Sequence, residues 1–157
     1  MHWEFLNHME NVFNFLQSLE QEKKDRDYPM TWERVHAVSC AQLGRMLARK
    51  RGVDTEMAAL ACSIHDIGRW VTGRQNDHAR NGEEPARRFL ENYPLSATEK
   101  EEIIKATVHH SEKDKIGTPL EEIVKDADIL DCYFHGEEIV KPHHAARLKK
   151  LVEELGL

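Results

Sequence analysis

Cysteine is scarce in this chain and widely spaced. Cys40, Cys62 and Cys132 are the three in 157 residues, odd in number and each set among apolar neighbours. No pair has zinc-knuckle spacing, so they read as reduced, buried thiols of a cytoplasmic protein. Long apolar runs are missing too. No stretch reaches the ~18 residues that a membrane span needs, and the N-terminus lacks a basic region followed by an apolar one. A surplus of positive charge is also missing: 22 Lys and Arg face 28 Asp and Glu, a net charge of −6. There is thus no basic footprint for duplex nucleic acid, and neither a duplex nor a membrane is an expected partner. Eight glycines and five prolines leave helix formers in command. No internal repeat, low-complexity tract or alternating Val/Ile-rich run bounded by hairpin turns is found.

What remains is an all-α chain, long enough to bury a core without disulfides. Residues 1–157 are expected to form a single domain, a helical bundle of about six to seven helices. Its core would span about 31–136, with helices at 3–23 and 142–155 packed on it. The first helix carries Leu6, Met9, Phe13, Leu16 and Leu19 at helical spacing, and Tyr28-Pro29 ends the charged stretch after it. A second helix from near Thr31 to Gly52 has Val35, Val38, Leu43, Met46 and Leu47 as its expected buried stripe. Asp54 caps a short helix that finishes at His65-Asp66, with Gly68 as its stop. A polar loop over 69–76 follows. Asp77 is a candidate cap for the next helix, but Pro85 leaves two arrangements open. Either His78 sits in a turn before a helix that begins near Glu83, or the helix is kinked. Ser96-Ala97-Thr98-Glu99 and Thr118-Pro119-Leu120-Glu121 are capping boxes, the second with proline where its missing N–H does no harm. They open helices running to His109-His110 and along Leu120, Ile123, Val124, Ala127, Leu130 and Phe134. The last helix would bury Ala145, Leu148, Leu151 and Val152.

Histidine is plentiful, ten in all. In Ile64-His65-Asp66-Ile67-Gly68 a histidine and an aspartate stand side by side between apolar residues. Neighbours on a helix point about 100° apart, so one apolar face cannot absorb both. Singly, His36 reads as a core histidine, Asp128 as a cap or ion-pair partner, and His109-His110 as a complement to a helix dipole. Together, imidazoles and carboxylates at the inner ends of successive helices are the arrangement that builds a metal site inside a bundle. Burying them without a cation is costly, and a ligand set without thiolate suits Fe, Mn, Co, Ni or Zn.

His36, then His65-Asp66, then Asp128 resembles the H…HD…D signature of the HD-domain superfamily of metal-dependent phosphohydrolases, over roughly 32–134. The resemblance implies that His36, His65, Asp66 and Asp128 hold a first divalent metal. His78-Ala79-Arg80-Asn81-Gly82 and Ala106-Thr107-Val108-His109-His110 are similar to segments of the binuclear members. They imply a second metal on His78 and His110, with Asp66 bridging and His109 as the alternative to His110. Pro85 departs from the regular helix of those members. Glu33, one turn before His36, reads as a surface carboxylate rather than an extra ligand, and Asp131 as either a residue orienting a ligand histidine or a helix salt bridge.

The implied reaction is hydrolysis of a phosphate ester or anhydride of a small molecule, expected to be a nucleotide, with a metal-activated hydroxide as nucleophile. Asp66 would be catalytic, and Arg69, with Arg74 or Arg80, would hold the substrate phosphate. Two alternatives share the ligand set: a mixed-valence di-iron oxygenase of a small polar substrate, and a catalytically dormant ligand-sensing module. A monomer or homodimer is expected.

Overall fold

The computed structural model describes residues 4–22 and 24–157. Among these are eight α-helices, one 3-10 turn and no strand, so the chain is all-α as expected. The helices are α1 (Glu4–Glu20), α2 (Met30–Arg51), α3 (Thr55–Ile64), α4 (Ile67–Thr72), α5 (Glu83–Leu90), α6 (Ala97–His109), α7 (Pro119–Phe134) and α8 (Pro142–Leu155), with the 3-10 turn at Arg80–Gly82. Trp3 and Lys23, the expected limits of the first helix, lie outside the described residues. No helix among the described residues is long and apolar enough to cross a membrane.

The sequence signals for helix ends hold well. Gly52 closes α2 in the left-handed conformation at φ 71°, and the Asp54 side chain accepts from the backbone N–H groups of Glu56 and Met57 to start α3. Both capping boxes are formed. Helices α2 and α3 make an antiparallel pair, α7 lies along α2, and α6 closes the group against α3 and α7. Helix α1 covers α2 and α3, while α8 packs on α7.

Several buried faces differ from the apolar stripes read above. Leu6 and Phe13 of α1 are exposed, and Val12 and Leu16 go inward with Met9 and Leu19. On α2, Val35 and Met46 are exposed, while Glu33, His36, Ala37, Cys40, Ala41, Gly44, Leu47 and Ala48 are buried. This inner face is small and polar because it holds the site and lets α3 approach: a Cβ on Gly44 would meet Cys62 Sγ at 2.4 Å. Phe134 and Ala145 are exposed, leaving Leu151 as the fully buried residue of α8.

Of the polar loop expected over 69–76, residues 69–72 belong to α4 and 73–76 lie outside any helix. Helix α3 ends at Ile64, and α4 begins at once with Gly68 inside it and buried. Gly68 is therefore no stop. A Cβ there would lie 2.1 Å from the His78 carbonyl oxygen and 2.6 Å from Gly82 N, so glycine lets α4 press against the turn that carries His78. Asp77 sits in that turn at φ 53° and does not cap α5, whose first residue is Glu83. Pro85 falls in the first turn of α5, where no helical N–H is needed, and the helix is not kinked around it.

Candidate metal centre

Four histidines from four segments converge, and their tautomers are fixed by what lies behind them. The Nδ1–H groups of His65, His78 and His110 donate to the carbonyls of Cys62 at 2.7 Å, Gln75 at 2.7 Å and Thr107 at 2.6 Å. A carbonyl can only accept, so Nδ1 carries the proton and Nε2 presents a lone pair. His36 Nδ1–H donates to Asp131 Oδ2 at 2.5 Å, with the same result. All four Nε2 atoms point inward, toward Asp66 and Asp128.

They form two sets. His36 Nε2 lies 3.3 Å from Asp66 Oδ2, from Asp128 Oδ1 and from His65 Nε2. His65 Nε2 is 3.3 Å from Asp66 Oδ2 and 3.6 Å from Asp128 Oδ1. The other oxygen, Asp66 Oδ1, faces His78 Nε2 at 3.2 Å and His110 Nε2 at 3.4 Å, and those two nitrogens are 2.9 Å apart. Ligands placed about 2.0–2.2 Å from one ion stand about 2.8–3.6 Å from each other in octahedral or tetrahedral geometry. Both sets match these edges, and lone pairs that face one another this closely need a metal ion or a shared proton between them. All but Asp128, whose side chain is 19% exposed, are buried, His65 and His110 to 1% exposure.

The electrostatics agree. Burial pushes the Asp66 and Asp128 carboxyls up, but His65 and Arg69 beside Asp66, and Lys113 and His36 beside Asp128, hold both well below the usual carboxylate range. Burial alone would lower His65, yet Asp66 and Asp128 raise it to about 10. Without a metal, the carboxylates therefore retain a proton on the histidine between them. Burial pushes His110 down to about 4, so it stays neutral as a ligand must.

The HD domain family matches residues 34–132, the segment that holds every one of these groups. The chain belongs to the HD domain family. Among curated proteins it is similar to ribonuclease Y of Cutibacterium acnes, 32% identical over 123 residues, which cover 76% of this chain and 21% of that protein. Ribonuclease Y of Lawsonia intracellularis is 37% identical over 97 residues, 60% of this chain and 17% of that one. The chain thus spans about a fifth of the length of these relatives. YueE of Bacillus subtilis, named as a candidate phosphohydrolase, is 30% identical over 138 residues, 76% of this chain and 77% of that one. No solved structure gives a significant match.

Around the HD residues the other expected positions separate. His109 turns away, donating from Nδ1 to Glu121 at 2.6 Å with its side chain 43% exposed, so His110 is the one at the centre. Asp131 stands behind His36. Arg69 reaches Asp66 Oδ2 at 2.5 Å, but two further N–H groups go to Glu33 at 2.9 and 2.8 Å and one to Gln75 at 2.9 Å. Arg74 pairs with Asp25 and Asp27 on the surface, and Arg80 is exposed; neither lines the cavity over the centre.

Glu33 is no surface carboxylate. At 2% exposure it accepts from Arg69 and from Trp70 Nε1, and through Arg69 it steadies Asp66. Sequence reasoning also passed over Lys113, which is 5% exposed and donates to Asp128 Oδ2 at 2.5 Å. Its place three residues after His110 is the one signal that pointed there. Cys40, fully buried, lies 3.6 Å from the His36 ring, and its Sγ falls within 4.8 Å of ligand atoms of His36, His65 and Asp128, a set that could hold a metal with it.

Proposed function

We propose that this HD domain hydrolyses a phosphate ester or anhydride of a small molecule, with one divalent metal on His36, His65, Asp66 and Asp128 and a second on His78, His110 and Asp66. The observation that carries this reading is Asp66, whose two oxygens face separate imidazole pairs, each pair with its Nε2 lone pairs turned inward. Two divalent ions held in this way would supply an activated water and neutralise charge on a phosphoryl group. The protein's own part is to fix the ligands. Asp131 and the carbonyls of Cys62, Gln75 and Thr107 set the four rings, and the Glu33–Arg69 pair holds Asp66.

The cavity above the centre, about 270 Å³, is lined by Tyr28, Trp32, Lys113, Cys132, Ile139 and His144 among others. It is the size for a small ligand, below the usual range for drug-sized molecules. Tyr28 and Trp32 stack at 6.4 Å, and Trp32 lies over the His36 ring at 5.3 Å. A base can stack on such an aromatic wall, which supports a nucleotide as substrate. Ribonuclease Y, by its name, makes RNA the competing substrate; the small cavity and the net charge of −6 favour the smaller one.

Metal-stripped protein reloaded with Mn, Fe, Co, Ni or Zn should release phosphate from nucleotides or a simple aryl phosphate, equally with and without oxygen. Two metals per chain are expected, and Asp66→Ala should lose both metal and activity. Unchanged hydrolysis by that variant sinks the reading. Oxygen uptake on iron loading would point to di-iron oxygenase chemistry, and cleavage of short RNA alone would point to a nuclease.

A further inference from the structure

We propose that Lys113, rather than Arg69, is the residue that contacts the phosphoryl group of the substrate. This rests on the phosphohydrolase reading above and adds to it the group that meets the anion.

A lysine ammonium has three N–H bonds, and a buried one leaves few of them unmatched, because an unpartnered buried donor is costly. Lys113 has its side chain 2% exposed, yet among the described residues its Nζ meets one acceptor, Asp128 Oδ2. Its remaining N–H groups belong to a side chain on the wall of the cavity over the metal centre. Lys125 is the contrast. It is equally buried, lies away from that cavity, and gives Nζ two acceptors, the Lys115 carbonyl at 3.0 Å and Glu122 at 3.3 Å.

Arg69 has little left to offer. Of the five guanidinium N–H groups, three hydrogen-bond to Glu33 and Gln75, and Nη2 also lies against Asp66 Oδ2 at 2.5 Å. Tyr28 lies over the guanidinium face at 4.5 Å. The open cationic donors at the centre are therefore those of Lys113. They stand next to Asp128, where a phosphoryl oxygen near the first metal position would come within reach.

The lysine is also held in place from behind. Arg147 of α8 donates from Nε at 3.3 Å and Nη2 at 3.1 Å to the Lys113 carbonyl. A fixed backbone limits the positions open to the ammonium, so little ordering remains for the moment of binding.

The probe is inorganic phosphate, titrated calorimetrically into metal-loaded protein whose metal content is measured in parallel. Lys113→Met should bind phosphate at least tenfold more weakly with its metal content unchanged, and Lys113→Arg should recover part of the loss. An unchanged Kd overturns the proposal. So does a loss of metal in step with the loss of phosphate, since Lys113 would then merely brace Asp128. If the wild-type protein binds no phosphate at all, the phosphohydrolase reading falls first and takes the proposal with it.

Methionine leaves Asp128 Oδ2 without its partner, so a second measurement uses the wild-type chain. In zinc-loaded wild-type protein carrying 15N-lysine, the Lys113 ammonium NMR signal should shift when phosphate is added, with that of Lys125 unaffected. An unmoved Lys113 signal also overturns the proposal.

Discussion

His65 carries the electrostatic tension of the centre. Its Nδ1 proton is committed to the Cys62 carbonyl, and the Asp66 and Asp128 carboxylates draw a second proton onto Nε2, raising the ring to about 10. A metal must displace that proton. The sign follows: at neutral pH the empty centre is protonated, so metal binding releases a proton and strengthens as pH rises toward 10. We expect the apparent metal affinity to rise about tenfold per pH unit between pH 6 and 8 for each proton displaced. Competition against a chelator of known pH dependence would measure this, and an affinity flat across that range would contradict it. At this scale the convergence of His36, His65, Asp66 and Asp128 was legible because they form an ordered set with few ordinary uses on helices. Glu33 and Lys113 were not, since lone glutamates and lysines are usually solvated and only tertiary contacts bury these two.

At the scale of elements, the register of helix faces was harder to read than their existence. Capping residues act locally, which is why Asp54, Ser96 and Thr118 marked their helices correctly. Which face turns inward depends on the neighbours. Helix α2 hides small and polar residues against α3 and α7, so its largest apolar side chains, Val35 and Met46, are poor guides. Helix α4 was missed because six residues holding an arginine and a glycine carry no periodicity to read. Its Gly68 makes a sharp prediction. A methyl there collides with the backbone of the His78 turn, which must move out while α2, α3 and α7 stay. Gly68→Ala should drop metal content from two per chain toward one, keeping the ion on His36, His65 and Asp128. Elemental analysis of the purified variant reads this directly, and two full equivalents would show that the turn adapts.

For the molecule as a whole, α8 is attached by charge more than by apolar area. Arg147 bridges Glu122 at 2.6 Å and Asp126 at 2.9 Å, and Arg51 links Asp126 to Glu154 at 2.7 Å on each side. Leu151 is the helix's one fully buried residue. Arg147→Met takes one partner from Glu122 and one from Asp126, which keep Lys125 and Arg51, and should cost about 1 kcal/mol, a fall in Tm of roughly 2–4 °C for a chain of this size. Thermal melts with metal present would check it, and an unshifted Tm would mean that the network contributes little.

The same arginine also bears on what counts as a transferable unit. The family match stops at residue 132, and every group of the proposed metal centre lies inside it. The Lys113 carbonyl, however, is gripped from α8, beyond that limit. A graft of residues 34–132 onto another scaffold would carry all the ligands and leave behind the clasp on the loop between α6 and α7. Such a chimera could keep its metals and still handle substrate poorly, so the boundary of shared ancestry and the boundary of the working part fall in different places along this chain.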